Sequence, residues 1–189
     1  MAKIVLTDTC FWLGLIDPTD QYHEMSNNIA PLIDGYPIIF PWPCLYETIS
    51  THLARRRERL LYLEEFIKKP DIILFDDSVY KATALQEVFH LNRIAGFTYS
   101  LTDGVIREIL KDIDVKVNYL VTFNNSDFED LAEAKNVKVC GILWILDELV
   151  RLNVTTPGET MNYLKDLMGK NKRLPLDECA KRMKAWEPG

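Results

Sequence analysis

No apolar run in this chain approaches the ~18 residues that a membrane-crossing helix needs, so the sequence reads as having no membrane partner. Glycine is scarce, 8 in 189 residues, and no G-x-G-x-x-G, G-x-x-x-x-G-K-[ST] or G-x-S-x-G pattern occurs. Dinucleotide, nucleotide-triphosphate and serine-hydrolase chemistry therefore have no foothold. The three histidines (His23, His52, His90) form no H-E-x-x-H pair and have no cysteine partners, which leaves zinc without a ligand set. The four cysteines (Cys10, Cys44, Cys140, Cys179) make no C-x-x-C pair, and three lie in apolar contexts. They read as reduced, buried thiols. The opening Met-Ala-Lys-Ile-Val-Leu runs straight into a strand pattern rather than a leader, so a cytoplasmic setting is expected. Basic charge is short as well: the formal net charge is −6, which argues against a general nucleic-acid binder. That argument weakens if the acids are gathered in one pocket to hold cations.

What is present is an ordinary core-forming composition, 48% hydrophobic, in a chain of single-domain length. Short apolar runs at Lys3 to Thr7, Pro37 to Pro41, Ile72 to Phe75, Tyr119 to Val121 and Val137 to Cys140 read as strands. Helical patterns alternate with them. One runs from about Pro43 through Leu53, with Leu45, Ile49 and Leu53 as its buried stripe, and it or a successor continues to Ile67. Another runs from Val79 to Ile94 with Ala82, Leu85, Val88 and Phe89, closed by Gly96. A third starts at Ser100 and buries Val105, Ile106, Ile109 and Leu110. Further helices follow at Asp127 to Ala134 and Gly141 to Leu152. The alternation implies an α/β fold, a mostly parallel sheet flanked by helices. After Asn153 the composition turns polar, with a linker at Thr155-Thr156-Pro157-Gly158 and two helices, Glu159 to Met168 and Leu176 to Trp186. The expected organisation is a domain over 1–152 and a helical C-terminal extension over 153–189.

Four acids stand at comparable places. Asp8 ends the first strand, Glu47 lies in the helix after the second, Asp103 opens a helix, and Asp127 follows a strand. Parallel strands put their carboxyl ends on one rim, where the following helices begin, so acids distant in sequence can converge there. Each also has a plain explanation. Asp103 suits a capping box with Ser100, and Asp127 suits the helix dipole beside a Ser126–Glu129 capping pair. Glu47 suits a solvated face, and Asp8 suits an N-cap. Asp8 is the hardest to dismiss, because a carboxylate between a buried strand and Phe11-Trp12-Leu13 needs donors or cations to stay ionised.

Ile4-Val5-Leu6-Thr7-Asp8-Thr9, Glu47, Ser100-Leu101-Thr102-Asp103 and Thr122-Phe123-Asn124-Asn125-Ser126-Asp127-Phe128 together resemble the PIN-domain ribonucleases, including VapC-like toxins. The T-x-N-x-x-D-F form of the last piece is the most specific, and the resemblance spans about Lys3 to Ile145. It implies a PIN-like three-layer α/β/α fold and a metal-dependent endoribonuclease. Asp8, Glu47, Asp103 and Asp127 would bind one or two Mg²⁺ or Mn²⁺ ions, with Thr9, Thr122 and Asn124 in support. It also implies RNA as substrate, products with a 5′ phosphate and a 3′ hydroxyl, a cognate antitoxin as partner, and a second copy of the chain in a homodimer. Hard divalent ions take oxygen ligands, and such ions activate water and offset charge on a reacting phosphate, so no protein nucleophile is required.

The basic residues Arg55, Arg56 and Arg59, with Lys172 and Arg173 in the extension, are candidates to track RNA phosphates; a solvated helix face is the alternative for the arginine run. Trp42 and Tyr46 are expected to be core aromatics, with base stacking as the alternative. Two rival functions remain. A catalytically silent PIN-like module would bind RNA or protein, and the presence of all four acids favours the enzyme. A phosphatase of the haloacid dehalogenase type wants a second acid two residues after the first, where Cys10 stands.

Overall fold

The computed structural model describes residues 3–50, 56–96, 99–170 and 174–186. Five short strands, β1 (Val5–Thr7), β2 (Ile38–Pro41), β3 (Ile72–Phe75), β4 (Tyr119–Val121) and β5 (Lys138–Cys140), form one sheet in the order β3-β2-β1-β4-β5. Every pairing is parallel, with Val5 opposite both Ile38 and Tyr119. Helices α1 (Thr9–Ile16), α2 (His23–Ile33), α3 (Trp42–Ser50), α4 (Arg57–Ile67), α5 (Lys81–Ala95), α6 (Leu101–Lys111), α7 (Glu129–Lys135) and α8 (Ile142–Arg151) flank it. Packing groups α1, α2, α4 and α8 in one layer and α5, α6 and α7 in another, giving a three-layer α/β/α fold. No helix among the described residues is long and apolar enough to cross a membrane.

The central strands are apolar because helices cover both faces. Leu6, Phe40 and Leu120 are fully buried, and Trp12 of α1 stacks on Phe40 at 4.2 Å while its indole N–H reaches Thr7 Oγ1 at 2.9 Å. The strand order reverses direction at β1, whose neighbours are β2 on one side and β4 on the other. That is the switch point where parallel sheets open a crevice beyond their carboxyl ends.

Several local expectations need correcting. Helix α5 buries Ala84 and Val88, whereas Leu85 and Phe89 are exposed. The cause is Gly104 on α6: a Cβ there would lie 2.5 Å from Val88 Cγ2 and 3.1 Å from the Ala84 carbonyl oxygen. The two helices approach so closely that small residues take the contact. On α3 the buried residues are Cys44, Leu45 and Thr48, and Ile49 is 40% exposed. Thr48 is tolerated inside because its hydroxyl bonds to the Cys44 carbonyl at 2.7 Å. Leu53 lies outside the described residues. Tyr46, expected in the core, is 63% exposed with its ring against half-buried Trp42. Asp127 sits in a 3₁₀ turn (Asn125–Asp127), and α7 begins only at Glu129, so the Ser126–Glu129 cap gives way to a Ser126 hydroxyl turned towards Asp127.

The extension forms α9 (Pro157–Lys170) and α10 (Leu176–Trp186), and Leu164, Leu167, Cys179 and Trp186 join the same core as the sheet. Pro157 and Gly158 belong to α9 rather than to a linker. Thr156 and Glu159 make reciprocal backbone hydrogen bonds, 3.2 Å to Thr156 Oγ1 and 2.9 Å to Glu159 Oε2, a capping box with proline at the first helical position.

Candidate active site

Asp8 leaves β1 in an extended conformation (φ −89°, ψ 161°) and caps α1. It is 7% exposed. Its Oδ1 accepts the Thr9 amide at 2.6 Å, and its Oδ2 accepts the Thr122 hydroxyl at 2.7 Å and the Cys10 thiol at 3.2 Å. Burial pushes its carboxyl from the ordinary 3.8 up to about 6. The bonds from Thr122, Cys10 and Thr9 pull it back, and the neighbouring charge of Asp103 pushes it further up. The Asp103 effect places the two acids within electrostatic reach of each other. Burial and the Asp8 charge hold the Cys10 thiol well above its usual range, so it serves as a donor to Asp8 and accepts the Phe123 amide at 3.2 Å.

Glu47 projects from α3 into the same rim. Its two carboxylate oxygens accept the hydroxyls of Thr9 and Thr102, each at 2.6 Å. Asp103, one residue beyond Thr102, closes the capping box of α6: its Oδ2 accepts the Ser100 amide at 2.7 Å, and its own amide donates to Ser100 Oγ at 3.0 Å. The plain reading of Asp103 as a cap is therefore correct as local structure, and the cap fixes its carboxylate at the start of α6. Asp127, 7% exposed, accepts the Asn124 side-chain amide, while the Asn124 backbone amide donates to Thr122 Oγ1 at 3.0 Å.

These contacts join the four acids in one chain of hydrogen bonds and adjacent residues: Asp127, Asn124, Thr122, Asp8, Thr9, Glu47, Thr102, Asp103. The links on it span up to 114 positions of sequence. Among the described residues no Lys or Arg forms an ion pair with Asp8 or Glu47. Hydroxyl and amide donors orient these carboxylates without neutralising them.

Two contributors were not evident beforehand. Thr102 was visible only as part of the Ser100–Asp103 motif, although Asp8-Thr9 and Thr102-Asp103 are both acid–threonine doublets. Arg107 lies on the buried surface of α6 and is 4% exposed. Its guanidinium donates to the Asp127 carbonyl at 2.6 Å and to both carboxylate oxygens of Asp130, and Nε reaches Glu87 at 3.2 Å. Burial opposes that charge, but Asp130 and Glu87 outweigh it and raise the guanidinium pKa above its ordinary value. The turn carrying Asp127 is thereby anchored to α6, the helix that carries Asp103. An arginine amid Val105, Ile106, Ile109 and Leu110 was the available signal, since buried charges need partners.

The donor set is one of hard carboxylate oxygens, which suits Mg²⁺ or Mn²⁺. Among the described residues no three His, Cys, Asp or Glu groups are gathered as a ready ligand cluster. Mg²⁺ does not demand one, because it keeps several waters and is held by one or two carboxylates plus the substrate phosphate. The elevated Asp8 carboxyl and its repulsion by Asp103 are what a cation at this rim would relieve.

The basic candidates divide. Arg59 is paired with Asp17 at 2.6 Å, and both side chains are largely buried, so its charge is engaged inside the fold. Arg56 lines an open groove with Arg57 and Tyr62. Arg55, Lys172 and Arg173 lie outside the described residues. No family model, curated protein or solved structure matches the chain.

Proposed function

We propose that this chain is a metal-dependent endoribonuclease of the PIN type that hydrolyses RNA phosphodiester bonds. The observation that carries the reading is the chain of hydrogen bonds that links Asp127, Asp8 and Glu47 and reaches Thr102, the neighbour of Asp103, at the switch point of a parallel sheet. Mg²⁺ or Mn²⁺, when bound, supplies a Lewis acid that lowers the pKa of water and offsets charge on the phosphate. Asp8, Glu47, Asp103 and Asp127 are the residues that would hold it. Thr9 and Thr102 fix the rotamer of Glu47, Thr122 and Cys10 orient Asp8, and Asn124 orients Asp127. The Thr122–Asp8 bond ties the β1 and β4 corners together. An antitoxin, and a second copy of the chain, rest on the sequence resemblance alone.

The direct test is cleavage of single-stranded and structured RNA by the purified protein in Mg²⁺ or Mn²⁺. Asp8→Asn and Asp103→Asn should each abolish cleavage while the circular dichroism spectrum is kept. Full cleavage by both variants, or by the wild type in EDTA, would sink the assignment. RNA binding with no cleavage in either cation would instead favour the silent module.

A further inference from the structure

Beyond β4 and β5, the loop at Phe123–Ser126, the start of α8 and helix α10 enclose a cavity of about 310 Å³. Its apolar floor includes Ile142, Leu143 and Leu174, with Trp144 beside them and the acids Glu129 and Glu178 at its edge. Resting on the nuclease reading above, we propose that this cavity holds one unpaired base of the RNA, adjacent to the bond being cut. It would favour the amino-bearing bases adenine, cytosine and guanine over uracil.

Four observations carry this. The volume lies at the low end of small-ligand sites, the scale of a single nucleoside rather than a helix or a peptide. The wall formed by Asn124 to Ser126 runs directly into Asp127, so an occupant lies next to the acidic rim. That wall is firmly seated: a Cβ at Gly141 would fall 1.8 Å from Asn125 Oδ1, so the Asn125 amide lies flat on the glycine at the head of α8. The charges select the ligand. Among the described residues of the lining, Arg182 is the one cation and is paired with Asp147, and Glu129 and Glu178 are the acids at the edge. Two carboxylates repel a phosphate but accept hydrogen bonds from exocyclic amines. The apolar floor and an aromatic ring suit the face of a base, which is how single-stranded RNA is commonly read. The extension after Asn153 then has a role, since Leu174, Glu178 and Arg182 come from it.

The test has two arms on the full chain. In the first, adenosine, cytidine, guanosine and uridine are titrated separately into metal-free protein, followed by NMR at the Trp144 indole and the Asn125 and Leu174 amides. The three amino-bearing nucleosides should shift these signals about fivefold more tightly than uridine, the worth of one net hydrogen bond. Glu129→Gln/Glu178→Gln, both exposed positions, should remove that difference. No shift at these residues at millimolar nucleoside, or equal binding of uridine in both proteins, overturns the proposal. In the second arm, oligonucleotides carrying one abasic position are cleaved. A loss of about fivefold or more in kcat/KM is expected at a single position next to the cut. Cleavage indifferent to every abasic position overturns the pocket and leaves the nuclease standing. Nucleoside shifts with no cleavage in any cation support the pocket and sink the nuclease reading.

Discussion

Replacing Asp8 by asparagine should make the metal-free protein more stable at neutral pH, even as it should remove the proposed activity. Burial is the leading reason that the Asp8 carboxyl rises from 3.8 to about 6. A carboxyl whose pKa is raised on folding costs nothing below its unfolded value, where both states are protonated. Its cost grows as pH rises from about 4 to about 6 and is complete above that. At about 1.4 kcal/mol per pH unit, the full penalty is about 3 kcal/mol at pH 7.5. Asparagine avoids it, but its amide would face the Thr122 hydroxyl and Cys10 thiol, both donors to Oδ2. Losing that arrangement costs about 1 kcal/mol. The net expectation is a variant about 2 kcal/mol more stable at pH 7.5 and about 0.5 kcal/mol less stable at pH 4, with the curves crossing near pH 4.5.

Urea denaturation of both proteins in EDTA, at half-unit steps from pH 4 to 7.5, reads this directly. Saturating Mg²⁺ or Mn²⁺ should stabilise the wild type, by about 2.7 kcal/mol at a hundred times the Kd, and leave the variant almost unmoved. A stability difference that does not change with pH would refute the burial argument. Equal stabilisation of both proteins by the cation would refute Asp8 as a ligand.

Arg107→Met leaves Asp130 and the Asp127 carbonyl without this donor and Glu87 with Lys111 alone, so it should cost about 3 kcal/mol by urea denaturation, the low end for a broken buried ion pair. Gly104→Ala forces a methyl against Val88 and the Ala84 carbonyl, and overpacking of that kind should lower stability by about 1–3 kcal/mol with the metal response unchanged. Thr102→Val removes one of the two hydroxyls on Glu47; cleavage should fall about tenfold at unchanged KM for RNA, and a drop in KM-limited binding alone would argue against a positioning role. Asp127→Asn should be milder than Asp8→Asn in cleavage assays, since Asn124 and Arg107 hold the turn by contacts that leave the Asp8–Glu47–Thr102 segment intact.

Strands were legible because each is a short β-branched or aromatic run cut off by polar or proline residues, as at Ile38–Pro41 and Ile72–Phe75. Helix faces were less so. Leu85 and Phe89 look like a core stripe, but the close approach allowed by Gly104 turns Ala84 and Val88 inward instead, a tertiary effect that no local period encodes. Pro157-Gly158 looks like a linker because both residues break helix interiors, but the Thr156–Glu159 box makes them the first turn of α9. At the rim, the acids were readable from their places after strands and at helix starts. Thr9 and Thr122 were expected in support from the resemblance, but the Thr102 bridge to Glu47 was not, because it closes only when α3 and α6 are assembled.

The choice of threonine at these bridges has a physical consequence. A lysine or arginine beside Asp8 would stabilise its charge by more than a hydroxyl does, and would lower its pKa rather than leave it at about 6. It would also satisfy the carboxylate and compete with a divalent ion for it. Hydroxyls fix direction and leave most of the charge unspent. The fold keeps Arg107 a step away, on the Asp127 carbonyl and on Asp130, where it braces the backbone of the turn. Rigid backbone, oriented carboxylates and an uncompensated charge at Asp8 and Glu47 are together unfavourable for an isolated fold. On the proposed reading a bound cation would make them favourable, so the stability of the Asp8→Asn variant and its indifference to metal would be two readings of the same arrangement.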